Sequence, residues 1–327
     1  MNALKMTLES LPRDVLVRIA DAVGHQRGAG KALREVSKEL NAVSNLTLYQ
    51  LVVRRANLKI CLVAHLENLH TLSICLPDWD PGHLATLCSC ETVKRLKTLC
   101  MTRCNKVNDL GPLAACTALE TLILYSCELV EDLGPLAACT ALRTLDMSRC
   151  EKVKDLAPLA ACTALRTLNM SWCKKVKDLA PLAACTALET LDMTMCNLVT
   201  SLAPLHETMR SLCIGHTRVA VSSVLARFTG LIRLDAKGCQ SGRQSFRLSD
   251  VAACKALEHL DVSRCNVSDL RPLEVLHNLR VLDIRGCRRV SNLAPLAECG
   301  SLRHLKCDKT HDARELRRCP FLVLENE

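Results

Sequence analysis

Cysteine is the residue of this chain best equipped for chemistry, and the 327 positions hold 22 of them. A thiol can bind zinc, close a disulfide or attack as a nucleophile, and each use leaves its own spacing. A zinc site wants C-x2-C paired with a second C-x2-C or with H-x3-H. Only Cys88-Ser89-Cys90 is closely spaced, and no second pair accompanies it. Neither a metal nor a cofactor is therefore expected. Histidines beside carboxylates, at Glu258-His259 and His311-Asp312, are isolated pairs. The phosphate-binding G-x-x-x-x-G-K-[ST], the G-x-S-x-G elbow and the H-E-x-x-H zinc motif are absent. An enzyme is not expected.

The cysteines fall instead into two columns. One holds Cys104, Cys127, Cys150, Cys173, Cys196, Cys239, Cys265 and Cys287; the other holds Cys116, Cys139, Cys162, Cys185, Cys254, Cys299 and Cys319. Both are in phase with a recurring leucine frame, so both point inward, where cysteine acts as a small hydrophobe with a weak donor. Stacked side chains one strand apart stand about 4.8 Å from each other. That is beyond the roughly 3.5–4.5 Å between disulfide-bonded Cβ atoms, so the thiols are expected to stay free.

The element that positions them is a repeat. The units from Leu119, Leu142 and Leu165 are near copies, and the last two differ only at Asp146/Asn169, Arg149/Trp172 and Glu151/Lys174. The frame L-x-x-L-x-(M/I/L/V)-x-x-C also starts at Leu69, Leu96, Leu188, Met209, Leu231, Leu257, Leu279 and Leu302, with a degenerate copy at Leu48. A short, regular period means a stacked solenoid. Thr144-Leu145-Asp146-Met147-Ser148 alternates with period two, which predicts a strand with Leu142, Leu145 and Met147 inward and Thr144, Asp146 and Ser148 outward. Asp155-Leu156-Ala157-Pro158-Leu159 then turns the chain, Pro158 opening a short helix and forbidding a second strand. No coil can bury its own leucines, so about 11–12 coils must stack into a parallel sheet on one side and helical turns on the other.

Over residues 48–327 the pattern resembles the leucine-rich-repeat family. The D-L-x-P-L half resembles the short repeats of internalins and of phosphatase-regulatory repeat proteins. The cysteine at frame position nine resembles the cysteine-containing repeats of F-box proteins. The resemblance implies an α/β solenoid, a horseshoe with a parallel concave sheet and short convex helices.

Residues 1–47 do not follow the repeat. Leu11 to Val23 reads as a helix opened by Pro12, with Val15, Leu16, Ile19 and Val23 on its apolar face; a second helix runs from Lys31 to about Val43. With Leu33, Val36-Ser37-Lys38 and Leu40, this segment resembles an F-box. The resemblance implies a substrate-recognition subunit of an SCF-type E3 ubiquitin ligase, in which Leu11, Pro12, Val15, Leu16, Ile19 and Val36 dock on a Skp-type adaptor and, through it, a cullin. The concave face would take the protein substrate. The alternative reading of the same helices is a cap over the open end of the solenoid. The chain would then be a scaffold or a regulator, for example of a phosphatase, with no ligase link.

The partner surface is sought where neighbouring coils differ. Ile123, Tyr125, Arg149, Trp172 and Met195 occupy outward strand positions or the residue after them, and tryptophan, tyrosine and arginine are the side chains enriched at hot spots. Aromatics make up only 2% of the chain, so a tryptophan and a tyrosine on nearby coils stand out. The outward threonines and the row Asp146, Asn169, Asp192, Asp235, Asp261, Asp283 read as solvated strand faces. Of the net charge of +9, most lies beyond residue 209, where 20 basic face 13 acidic side chains. A basic solenoid binding an acidic polymer or a membrane surface is the third reading. Nucleic acid is disfavoured because no aromatic platforms accompany the basic residues. No apolar run reaches the roughly 20 residues needed to span a bilayer. The first residues lack a secretory signal, so a cytoplasmic or nuclear protein is expected.

Overall fold

The computed structural model describes residues 50–53, 69–219, 224–239, 246–309, 316 and 322–326. The F-box-like segment, with Leu11, Pro12, Val15, Leu16, Ile19 and Val36, lies outside the described residues. So does the polar stretch 240–245.

Contacts divide the chain into two compact units. The first runs to Val153 and includes Ala161–Leu165; the second comprises Lys154–Ala160 and everything from Arg166 onward. In the first unit the strands are β1 (Gln50–Val53), β2 (Thr71–Ile74), β3 (Thr98–Met101), β4 (Thr121–Ile123) and β5 (Thr144–Asp146). Each pairs in parallel with the next, frame position against frame position, as in Thr98↔Thr121↔Thr144. The second unit carries β6 (Thr167–Asn169), β7 (Thr190–Asp192), β8 (Ser211–Cys213), β9 (Arg233–Asp235), β10 (His259–Asp261), β11 (Val281–Asp283), β12 (His304–Cys307) and β13 (Val323–Asn326), again parallel and in chain order. The α/β solenoid expected from the repeat is the architecture of both units. Strand β13 was not foreseen: Val323 and Leu324 are 50% and 39% exposed, so no inward leucine frame announces it.

The inward positions are fully covered. Leu142, Leu145 and Met147 are 0% exposed, as are Leu165, Leu168 and Met170. Each leucine so buried contributes about 1.5–3 kcal/mol, and stacking makes that burial available to coils too short to bury anything alone.

The return half of most described coils is a 3-10 helix. In the first unit these are Gly111–Ala115 and Gly134–Ala138; in the second, Ala180–Ala184, Arg271–Leu273 and Ala294–Glu298, all with proline in the first turn. The D-L-x-P-L phrase explains them. The aspartate accepts the N–H two residues on: Asp109 from Gly111 at 2.6 Å, Asp132 from Gly134 at 2.7 Å and Asp178 from Ala180 at 2.8 Å. The leucine is buried, and proline removes the next donor, so the turn starts with its leading N–H groups accounted for. Among the described residues, α-helices occur only in the long gap from Leu69 to Leu96: α1 (Pro81–Cys88) and α2 (Glu91–Lys94). Asp80 caps α1 by accepting from the His83 N–H at 2.9 Å.

Candidate interaction surface

Among the described residues, nine coils leave their strand through one left-handed residue. In the first unit these are Arg103, Ser126 and Arg149; in the second, Trp172, Met195, His216 and Arg264, with φ between 56° and 66° across all seven, and Gly238 and Gly286. A non-glycine residue there costs roughly 1–2 kcal/mol, so the turn must be held on both sides. Ahead of it, the side chain at frame position five accepts the N–H of position seven: Asp146 from Ser148, Asn169 from Ser171 and Asp192 from Thr194, at 2.9–3.0 Å. At the turn itself, the position-eight N–H continues the ladder to the next coil. Arg103 donates to the Tyr125 carbonyl, Trp172 to that of Thr194 and Met195 to that of Gly215, at 2.8–2.9 Å.

This geometry throws the position-eight side chain outward and turns the following cysteine in. The cysteine Sγ–H donates to the position-six carbonyl of the preceding coil: Cys127 to Met101 at 3.0 Å, Cys150 to Leu124 at 3.2 Å, Cys196 to Met170 at 3.1 Å and Cys265 to Ala236 at 3.1 Å. The second column does the same for the 3-10 helices, with Cys139 donating to Leu113, Cys185 to Leu159 and Cys299 to Leu273, at 3.3–3.5 Å. Buried carbonyls need donors, and the thiols supply them. Burial pushes the Cys150, Cys196 and Cys265 thiols up to about 12 and those of Cys254 and Cys287 up to about 11. That is the reverse of what a nucleophile requires. Cys319 lies outside the described residues, and every described cysteine is a free thiol.

The aspartate row is only partly solvated: Asp146, Asn169, Asp192, Asp235 and Asp261 are half-buried. Asp283 is only 6% exposed and holds Arg285 through Nε at 3.1 Å and Nη2 at 2.7 Å. Asp235 is half-buried; burial, then its neighbours Asp261 and Asp192, raise its carboxyl above the ordinary range. These carboxylates are spent on closing turns. Ser148, expected outward, is likewise 3% exposed, as is Ser263 at the same frame position, because the turn folds back over position seven. The basic residues of the C-terminal third divide: Arg233 and His304 are exposed, whereas Lys237, His259 and Lys306 are half-buried. Lys306 Nζ lies 2.9 Å from Glu325.

The five residues proposed for partner binding form two groups, one on each unit. On the first, Ile123 is half-buried in β4, Tyr125 is half-buried just beyond it, and Arg149 is exposed at its left-handed turn. On the second, Trp172 and Met195 are half-buried at successive left-handed turns. Lys174 Nζ stands 5.1 Å from the centre of the Trp172 ring, a cation–π distance. One residue here escaped the sequence reading. Leu198, three residues after Met195, is 48% exposed. The available signal was frame position eleven, which holds lysine at Lys106, Lys152 and Lys175 but leucine at Leu129 and Leu198.

Among the described residues no group of three or more histidine, cysteine or carboxylate side chains could hold a metal, and no helix is long and apolar enough to cross a membrane. A profile described as leucine-rich repeats in two copies matches residues 117–161 and 255–298. The fold is that of a leucine-rich-repeat protein. An internalin from Listeria monocytogenes shares it at a TM-score of 0.69 and 21% identity, over 97% of this chain and 98% of that one. A leucine-rich-repeat protein of Leptospira interrogans matches at 0.55 and 12%, over 92% of both chains. TLR13, solved as its complex with ssRNA13, matches at 0.55 and 15%, over 84% of this chain and 50% of that one. No curated protein sequence matches significantly. The repeats display variable side chains on a recurring buried frame.

Proposed function

We propose that the chain is a protein-binding receptor of the F-box/leucine-rich-repeat kind, working in the cytoplasm or nucleus. Its repeats capture a protein substrate, and residues 1–47 pass that substrate to a ubiquitin ligase through a Skp-type adaptor and a cullin. The capture half rests on one observation: the outward turn positions carry Trp172 and Met195 in the second unit and Arg149 in the first, where the fold itself asks for nothing larger than glycine. The ligase half rests on the sequence resemblance at Leu11, Pro12, Val15, Leu16, Ile19 and Val36.

Two full-length variants separate the halves. Leu11→Ala with Pro12→Ala should abolish co-purification of the Skp-type adaptor while the melting temperature holds. A drop in melting temperature with adaptor binding intact would instead make the helices a cap. Trp172→Ala should weaken substrate binding about thirtyfold, since a central hot spot is worth about 2 kcal/mol and a tenfold change about 1.4. A large fall in melting temperature with unchanged affinity would make the tryptophan structural.

A further inference from the structure

Within the second unit the edge beside Trp172 has a composition of its own. Trp172, Met195 and Leu198 present apolar surface from two successive coils, which lie about 4.8 Å apart at the strand spacing. Leu198 is 48% exposed. On the Trp172 coil three lysines follow within five residues: Lys174, Lys175 and Lys177, all exposed. The carboxylate nearest in sequence, Asp178, accepts the Ala180 N–H at 2.8 Å, which holds it at the turn while it keeps its charge. On the next coil Asn197, Leu198 and Thr200 take the corresponding places and bring no charge, and Ser201 stands where Asp178 does. An apolar step bordered by three cations on one side and by neutral side chains on the other is a directional surface.

We propose that this edge binds an acidic peptide segment, one bulky apolar side chain of which packs on Trp172, Met195 and Leu198 while flanking aspartates or glutamates meet Lys174, Lys175 and Lys177. The proposal deepens the receptor reading and rests on it. The apolar contact supplies most of the affinity, because a large half-exposed apolar surface loses water there. The lysines, exposed and screened, supply orientation and partner choice more than strength. Charge complementarity selects the occupant. A basic segment would set like charge against Lys174, Lys175 and Lys177. Single-stranded nucleic acid would find a single aromatic ring, where such ligands stack successive bases on several.

The test is selection of a random twelve-residue peptide display library on the full-length protein, at about 0.1 M salt. The recovered sequences should converge on aspartate and glutamate around a leucine, isoleucine, phenylalanine or methionine. A synthetic peptide of that consensus should lose at least tenfold affinity for Leu198→Asp and, separately, for Lys174→Glu/Lys175→Glu/Lys177→Glu. Both variants should keep the thermal midpoint of the parent. A basic or uncharged consensus, no consensus at all, or a consensus peptide indifferent to both variants overturns the proposal. So does binding of single-stranded RNA with the same dependence on the lysines. A consensus peptide lost only on Arg149→Ala or Tyr125→Ala would sink this site and leave the receptor reading standing. Adaptor co-purification reports on that reading independently of any peptide.

Discussion

The coils starting at Leu119 and Leu165 share a frame and differ at their edge. Inward, Leu119, Leu122, Leu124, Cys127, Val130, Leu133 and Leu136 in the one match Leu165, Leu168, Met170, Cys173, Val176, Leu179 and Leu182 in the other, and all are 0–2% exposed. Outward, Ile123, Tyr125 and Ser126 become Asn169, Ser171 and Trp172, and the run Glu128, Leu129, Glu131 becomes Lys174, Lys175, Lys177. A buried position answers to neighbours above and below, so a change there is felt through several coils. An edge position answers mostly to water and to whatever binds. The fold thus separates two demands, and a reversal of edge charge carries little constraint from the core.

The frame half of this comparison breaks first at high pH. Burial holds the thiols of Cys150, Cys196 and Cys265 up to about 12, and burial with neighbouring thiols or carboxylates holds those of Cys139 and Cys287 up to about 11, against an ordinary value of 9.0. Below the unfolded value both states keep their protons and stability is whole. Above it the unfolded chain ionises and the folded one resists, so stability falls until the folded values are reached. Each such thiol contributes a slope of about 1.4 kcal/mol per pH unit. Urea unfolding at about pH 8, 9 and 10 should therefore show a steep, accelerating loss. Cys150→Ala with Cys196→Ala should be less stable at neutral pH yet show a shallower slope, by about two protons. A flat profile through pH 10 would mean that the columns are open to solvent.

The turn column gives the next largest effect. Gly238 has φ +62°, and a Cβ there would lie 2.5 Å from Cε1 and 2.6 Å from Nδ1 of His216, the turn residue one coil earlier. Gly238→Ala should cost about 2–3 kcal/mol, combining left-handed strain with overpacking. In a His216→Ala background the penalty should shrink to the strain alone. Arg149→Gly, at φ 62°, should move stability by no more than about 1 kcal/mol, because relief of strain is offset by a floppier unfolded chain. Equal penalties for Gly238→Ala in both backgrounds would show that the histidine does not pack there.

The leucine frame was legible because burial repeats with the coil: Leu142, Leu145 and Met147 could be placed inward from spacing alone. The cysteine columns were legible for the same reason, but not their hydrogen bonds, since the acceptor carbonyls sit about one coil away. The left-handed turns were invisible. Arg149, Trp172 and Met195 are residues that ordinarily avoid positive φ, and no glycine marked the place until Gly238 and Gly286. The aspartates misled for a related reason. Alternation puts Asp146 and Asp283 on the outer face, but a carboxylate two residues ahead of a tight turn bends back to the backbone. The candidate surface was half legible: Trp172 and Met195 stood out as departures between near-identical copies, whereas Leu198 required knowledge of exposure.

The smallest expected effect sharpens the comparison most. Converting the second coil's edge to the first's, with Lys174→Glu, Lys175→Leu and Lys177→Glu, should leave stability within about 1 kcal/mol of the parent, since exposed substitutions away from caps and cores are each usually within about 0.5. The neighbouring Asp178→Ala is the control. Its carboxylate accepts the Ala180 N–H at 2.8 Å, and loss of such a cap costs about 1 kcal/mol. A single change at the capping position should thus match or exceed three changes at the edge, although all four residues are exposed. The urea midpoint of each variant measures this directly. If the triple variant falls by several kcal/mol, the lysines belong to the frame, and their difference from Glu128, Leu129 and Glu131 reflects packing rather than a partner.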